Sequence, residues 1–213
     1  MSTNKQSINS IAQSHLLHES FFMGNVEYRN FCNLNQEEAL MVWEWRNHPA
    51  IRKWMYHSDI IPRENHFLFL KNLPKKTDNF YWLILEEGEY LGVINFSNFE
   101  NYQSEWGFYL NPNLFGKGKS TNLIFNALNF FFKKLDLTQV YGFVRCDNHI
   151  ALRFHDFIGI QKTGTQYIKV KNVNVLFERR EMPRERWLSG NYTLQYWKDA
   201  HAKYKAKRKA NQE

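Results

Sequence analysis

The 213 residues predict an α/β fold with a mixed, mostly antiparallel central sheet flanked by helices. Three observations predict it: helical apolar stripes early in the chain, a central block of strand-like runs, and a strand–loop–helix unit followed by a second strand–helix unit.

In chain order, Glu37 to His48 carries Leu40, Met41, Trp43 and Trp45 at helical spacing, and Pro49 discourages continuation. A second helix follows Pro62, with Phe67, Leu68 and Leu70 spaced to pack inward and Pro74 closing it. Phe80–Glu86 and Tyr90–Phe96 are strand-like and separated by Glu87-Gly88-Glu89, which predicts a hairpin. Ser104–Leu110 is a third strand, followed by the turn Asn111-Pro112-Asn113. The next helix spans Ser120–Leu135, with Leu123, Ile124, Ala127, Leu128, Phe131 and Leu135 on one face. Gln139–Arg145 is a strand, Ile150–Phe157 a helix ended by Gly159, and Thr165–Lys171 and Val173–Arg180 are two further strands.

Composition bounds the class. Aromatic residues at 17% and charged residues at 23% exclude disorder as the main state. The greasiest stretch, Leu123–Phe132, is broken by Asn126 and Asn129, so no membrane span is expected. Residues 1–14 lack the charged start and apolar core of a secretory signal, which leads to the expectation of a cytoplasmic protein. Cys32 and Cys146 are far apart and outside any Cys/His cluster, so neither a disulfide framework nor a metal site is expected, and both read as buried apolar fillers. Of the net charge of +7, +4 falls within Lys198–Glu213. Leu194, Trp197, His201 and Tyr204 recur there at helical spacing, an amphipathic helix ending in a basic run. That run could touch RNA or acidic lipid but reads first as a docking turn followed by a solubilising end, so neither membrane nor nucleic acid is expected as a partner. The expected division is a flexible N-terminal extension (1–22), one folded domain (23–182) and a basic C-terminal extension (183–213), helical and then mobile. Oligomeric state is left open, a homodimer being one arrangement.

The chemistry concentrates in Asn113-Leu114-Phe115-Gly116-Lys117-Gly118-Lys119-Ser120, a loop from a strand into a helix N-terminus. Unpaired first-turn amides and the positive end of the helix dipole favour an anion there, above all phosphate. Gly116 and Gly118 let a diphosphate approach the backbone, and Lys117 and Lys119 add charge. The nucleotide-triphosphatase P-loop fails, because its first glycine would fall at Asn113. The loop instead resembles the [RQ]-x-x-G-x-[GA] motif of the GNAT superfamily of acyl-CoA transferases, with Asn113 in the first position. Asn148, Ala151, Phe154, Gly159 and Ile160 are similarly spaced to that superfamily's following segment, with His155 where a tyrosine is usual, and Leu91-Gly92-Val93-Ile94 resembles an earlier strand. The resemblance runs from about Val26 to Glu181. It implies acetyl-CoA as co-substrate, no metal, and a sheet splayed at the coenzyme site. The coenzyme is then expected along Phe108 to Leu110 and on the amides of Leu114 to Ser120, with Asn113 and Asn148 beside it. Direct transfer to an amine in a ternary complex follows, with His155 as the acid or, on the plainer reading, a hydrogen-bonded surface histidine of its helix. Glu105, on one face of its strand with Gly107 and Tyr109, is a candidate base or a structural carboxylate.

Trp45-Arg46-Asn47-His48-Pro49, Trp54-Met55-Tyr56 and His66-Phe67-Leu68-Phe69 resemble the sugar-nucleotide acetyltransferases of the pseudaminic acid pathway. That resemblance implies a UDP-linked 4-amino-4,6-dideoxy sugar as acceptor, on the route to flagellin glycosylation. It places Arg46, Met55, Tyr56, His66 and Phe69 in the nucleotide-sugar pocket, with Tyr109 nearby. A guanidinium suits a diphosphate, and aromatic faces suit uracil or a deoxy-sugar methyl. The plainer readings are a surface ion pair of Arg46 with Glu44 or Glu38, and tryptophans that belong to the core. The strand Val140–Arg145 holds no acidic residue, and Phe143 stands near the position where that family has one. Other readings are an acetylase of protein N-termini of the ribosomal-protein type, and a non-catalytic coenzyme-binding domain.

Overall fold

The computed structural model describes residues 17–190 and 194–210. Its eight strands are β1 (Phe21–Met23), β2 (Val26–Asn30), β3 (Asn79–Glu86), β4 (Glu89–Glu100), β5 (Gln103–Leu110), β6 (Gln139–Arg145), β7 (Gln161–Val170) and β8 (Val173–Pro183). They form one sheet in the order β1-β2-β3-β4-β5-β6-β8-β7. Every neighbouring pair is antiparallel except β5–β6. The helices are α1 (Gln36–Asn47), α2 (Pro49–Arg52), α3 (Arg63–Asn72), α4 (Ser120–Asn129), α5 (His149–Phe157), α6 (Arg184–Ser189) and α7 (Leu194–Ala210).

Both faces of the sheet are covered, which is why β3 is apolar almost throughout instead of alternating. Trp82, Ile84, Ile94, Phe96 and Trp106 pack on one face against Leu123, Ile124, Ala127 and Leu128 of α4. On the other face Leu83, Leu85 and Val93 meet Val42 and Trp45 of α1 with Ile51 and Leu73. The β3–β4 hairpin closes through Glu87 (φ 53°) and Gly88 (φ 80°), and positive φ at both turn residues matches the right-handed twist of the strands. Asn35 caps α1 in a capping box with Glu38.

Several expectations need correction. The helix after Ser120 is α-helical only to Asn129, and Phe130–Lys134 form a π turn in which the Leu135 amide donates to the Phe130 carbonyl. The wider turn lets three consecutive phenylalanines, Phe130 to Phe132, all be fully buried. Leu68 is exposed, and His66 takes the inward position. Cys32 and Cys146 are only half-buried. The fold extends beyond 23–182 on both sides. Leu17 reaches the core and Phe21 opens β1, while Trp187 and Trp197 are buried against Phe125 of α4. Residues 1–16, most of the expected flexible extension, lie outside the described residues, as do the side chains of Leu194, His201 and Tyr204. The first two strands escaped sequence reading because they are short, although Val26, Tyr28 and Asn30 alternate with Glu27 and Arg29.

Candidate active site

The sheet opens between β5 and β6. Their parallel ladder pairs Gln103 with Gln139, Ser104 with Val140 and Glu105 with Tyr141, and then stops. Beyond it Trp106–Leu110 stay paired to β4, and Gly142–Arg145 stay paired to β8. The facing backbone edges of Phe108 to Leu110 are therefore left without a strand partner, the splay expected for a coenzyme arm.

The loop at the end of β5 is built by Asn111, whose amide donates to the Leu91 carbonyl and whose Nδ2 donates to the Tyr90 carbonyl. Its Oδ1 accepts from the Asn113 amide, starting the tight turn Pro112–Leu114. The amides of Leu114, Phe115 and Lys117 donate to the carbonyls of Asn111, Pro112 and Leu114. The expectation that all amides from Leu114 to Ser120 face a diphosphate is thus narrowed: those three are spent on the turn. Among the described residues the amides of Gly118, Lys119 and Ser120 have no backbone acceptor, and α4 has no side-chain cap. Gly116 (φ 76°) and Gly118 (φ 80°) hold the left-handed conformations that fold the loop back toward the helix. Asn113 and Lys117 are exposed, as is Phe115, which lies edge-on to the His48 ring at 5.9 Å. Lys119 is ion-paired to Glu89, which raises its pKa. Asn148 caps α5 by accepting from the Ala151 amide, so its carbonyl oxygen is already engaged.

Alternation along β5 splits the site between two faces. On the α4 side His155 lies 6.4 Å from the Trp106 ring and 6.0 Å from Phe108, stacked against both. It is 3% exposed, and its buried Nδ1 has no hydrogen-bond partner among the described residues. Burial, reinforced by Arg180, lowers its pKa to about 4. At neutral pH this imidazole is uncharged, and the expected imidazolium proton for a leaving thiolate is not there.

The other face carries Glu105, Gly107 and Tyr109 in a row. Glu105 accepts from Tyr56 Oη at 2.9 Å and from Asn98 Nδ2 at 2.8 Å. Burial, then the carboxylate, pushes the Tyr56 pKa well up, so the phenol stays protonated. At the far end of the row Tyr109, also held protonated by burial, stands beside Arg46 and Tyr81. Arg46 Nη2 donates to the His57 carbonyl at 2.9 Å, while Nη1 is buried with no partner among the described residues. The expected surface ion pair is not formed: among the described residues Arg46 pairs with no carboxylate, and Glu38 is occupied by Arg29 and Tyr90. Met55 packs partly buried under this face. His66 and Phe69 do not join it directly. His66 is buried, lies 2.9 Å from the Ala39 carbonyl and has its pKa lowered by burial, so it joins α3 to α1. Phe69 meets Tyr81 edge-on at 5.3 Å, one ring behind Arg46.

Sequence reasoning missed the opposite wall. Phe177 lies 5.5 Å from the Tyr56 ring, and the Arg179 guanidinium sits 4.0 Å over Tyr141 and reaches Phe143. Alternation alone puts Tyr141, Phe143 and Arg145 on one face; only the Glu105–Tyr141 register brings that face beside Glu105. Among the described residues no group of three or more His, Cys, Asp or Glu side chains could hold a metal ion, and no helix is long and apolar enough to cross a membrane.

Comparison with known proteins agrees with this geometry. The acetyltransferase PseH of Campylobacter jejuni subsp. jejuni serotype O:23/36 (strain 81-176) is 32% identical over 130 residues, covering 61% of this chain and 81% of that protein. The crystal structure of Campylobacter jejuni N-acetyltransferase PseH in complex with acetyl coenzyme A superposes with a TM-score of 0.55 at 25% identity, covering 74% of this chain and 98% of that one. A spermidine N-acetyltransferase from Vibrio cholerae, solved with CoA and spermine, shares the fold with a TM-score of 0.66 at 17% identity, over 78% of this chain and 99% of that one. Residues 29–161 match the model of the acetyltransferase (GNAT) domain, and the chain belongs to this family of acyl-CoA N-acyltransferases, with acetyl-CoA as co-substrate.

Proposed function

We propose that the enzyme transfers an acetyl group from acetyl-CoA to the 4-amino group of a UDP-linked 4-amino-4,6-dideoxy sugar, in a direct reaction within a ternary complex, as a step toward pseudaminic acid. The observation that carries the acceptor is Arg46. A buried guanidinium nitrogen without a partner costs about 1–3 kcal/mol, and an anionic group of the acceptor, such as a nucleotide diphosphate, relieves that cost. Similarity to PseH supports the same reading. Gly107, with the Asn95 side chain beside it, separates Glu105 at one end of the row from Tyr109 and Arg46 at the other, and the aromatic faces of Tyr56, Tyr141 and Phe177 suit a deoxy sugar or a base.

The residues present also fit the coenzyme: the splay offers unpaired strand edge to an amide-containing arm, and the free amides before α4 offer donors to its diphosphate. Bound there, the thioester supplies the activated acyl group. Glu105, fixed through both oxygens by Tyr56 and Asn98, takes the proton that the amine loses as its nitrogen bonds to the acyl carbon. The carbon–sulfur bond breaks, and the leaving thiolate takes up a proton from solvent. Neutral His155 packs against Trp106 and Phe108 behind the strand.

The test is thiol release from acetyl-CoA with the amino sugar nucleotide, its N-acetylated product, and peptides with free N-termini. Release with the amino sugar alone is expected. Release with peptides alone would overturn the acceptor assignment and favour a protein acetylase; no release with any would overturn the activity.

A further inference from the structure

The C-terminal helix builds one wall of the phosphate end of the site. Trp197 of α7 is 1% exposed and stands 5.1 Å from Trp187 and 6.0 Å from Phe125, so α7 is held against α4 by its indole. The next residue, Lys198, faces the start of α4. With Lys117, Gly118, Lys119, Thr121 and Asn122 it lines an open cleft of about 310 Å³. The helix lies outside residues 29–161, the part that matches the family model.

Three ammonium groups therefore border one space. Lys119 is neutralised by Glu89, whereas Lys117 and Lys198 have no ion-pair partner among the described residues. Like charges around one cleft repel, and a polyanion removes the repulsion. Coenzyme A carries two anionic groups, a diphosphate and a separate 3′-phosphomonoester. The amides of Gly118, Lys119 and Ser120 suit the diphosphate, which follows the arm that the splay receives. The doubly charged monoester then needs a cation beyond the loop, and Lys198 stands on the wall contributed by α7.

We propose that Lys198 binds the 3′-phosphate of coenzyme A, so that the C-terminal helix is what lets this enzyme distinguish coenzyme A from its 3′-dephospho form. The proposal rests on reading the cleft as the coenzyme site. A lone ammonium–phosphate contact in a partly exposed cleft contributes about five- to tenfold in affinity.

Calorimetric titration of the full chain with coenzyme A and with 3′-dephospho-coenzyme A tests it. Wild type is expected to prefer coenzyme A. Lys198→Gln should weaken coenzyme A binding about five- to tenfold and leave 3′-dephospho-coenzyme A unchanged, while Lys203→Gln, an exposed change on the same helix, should keep the wild-type preference. Raising the salt concentration should narrow the preference in wild type and not in Lys198→Gln. Retention of the preference in Lys198→Gln would overturn the proposal and spare the coenzyme site. Equal weakening of both ligands would also overturn it, assigning the lysine to the diphosphate; binding of neither ligand by wild type would remove the coenzyme site itself.

Discussion

Replacing His155 by glutamine should make the protein more resistant to acid, and the size of the effect follows from burial. In the unfolded chain the imidazole takes up a proton near its ordinary value of 6.5; in the folded protein burial and Arg180 delay protonation to about 4. Between those values the unfolded state binds the extra proton and the folded state does not. Stability is therefore intact above pH 6.5 and falls as the pH drops toward 4. For these two values the linkage relation gives a loss of about 2 kcal/mol at pH 5 and about 3 kcal/mol at pH 4. Glutamine has no such proton, so this component vanishes in the variant, while the other titrating groups cancel in the difference. Urea denaturation of wild type and His155→Gln from pH 8 to pH 4 measures it: the variant's stability should rise relative to wild type by about those amounts. Parallel stability curves would refute the argument, as would a wild-type imidazole resonance titrating near 6.5 or above. Either result would mean that burial does not hold back protonation of His155 and would reopen it as the acid.

Three further outcomes bear on the two faces of the site. Glu105→Gln should lower kcat by about 10²–10⁴ with coenzyme affinity unchanged, since the base meets only the amine; a rate within a few-fold of wild type would move the base elsewhere. Gly118→Val should remove the thermal stabilisation that coenzyme A gives wild type, because φ of 80° is hostile to a β-branched residue and the amide of residue 118 is one of the free donors; an unchanged melting shift would take the loop out of the site. Arg46→Ala should weaken UDP binding by about ten- to a hundredfold and leave coenzyme A binding intact. Arg46→Lys should restore little of it, because an ammonium lacks the planar pair of donors. Equal loss of both ligands would mean that Arg46 supports the fold and not the acceptor.

What could be read in the sequence was whatever local pattern determines. Gly116 and Gly118 ahead of an apolar helical stripe mark the phosphate loop, and Glu87-Gly88 between two apolar runs marks the hairpin, because turn chemistry and periodicity act over a few residues. Arg46, Tyr56 and Glu105 were legible as candidates, though nothing local pairs the Tyr56 hydroxyl with Glu105, 49 residues away. His66 misled for the reverse reason: a polar residue among phenylalanines reads as a ligand contact until its ring is found against the Ala39 carbonyl. The wall of Tyr141, Phe177 and Arg179 was hidden because strand order is non-local, β6 reaching β5 in parallel and β8 inserting before β7. The docked tail was half visible, since Trp197 sits at helical spacing but its partner Phe125 lies in another helix.

The position of Glu105 matters more than its chemistry alone. It belongs to the last residue pair joining β5 to β6, so it stands where the closed sheet becomes the splay. A carboxylate one residue later would take the place of Trp106 and point to the α4 side, toward Phe108 and the neutral His155, where it could not reach an amine held on the Arg46 side. Two residues later it would occupy the place of Gly107, where a Cβ would come within 2.7 Å of Asn95 Oδ1, so the Asn95 side chain would have to move. At 105 the carboxylate lies on the face it shares with Gly107 and Tyr109, where the proposed acceptor would sit, and the strand edge toward β6 is unpaired from the next residue onward. On the proposed reading the missing acid in β6 is no deficit: Phe143 and Tyr141 line the wall, while the neighbouring strand carries Glu105, whose two oxygens are fixed by Tyr56 and Asn98.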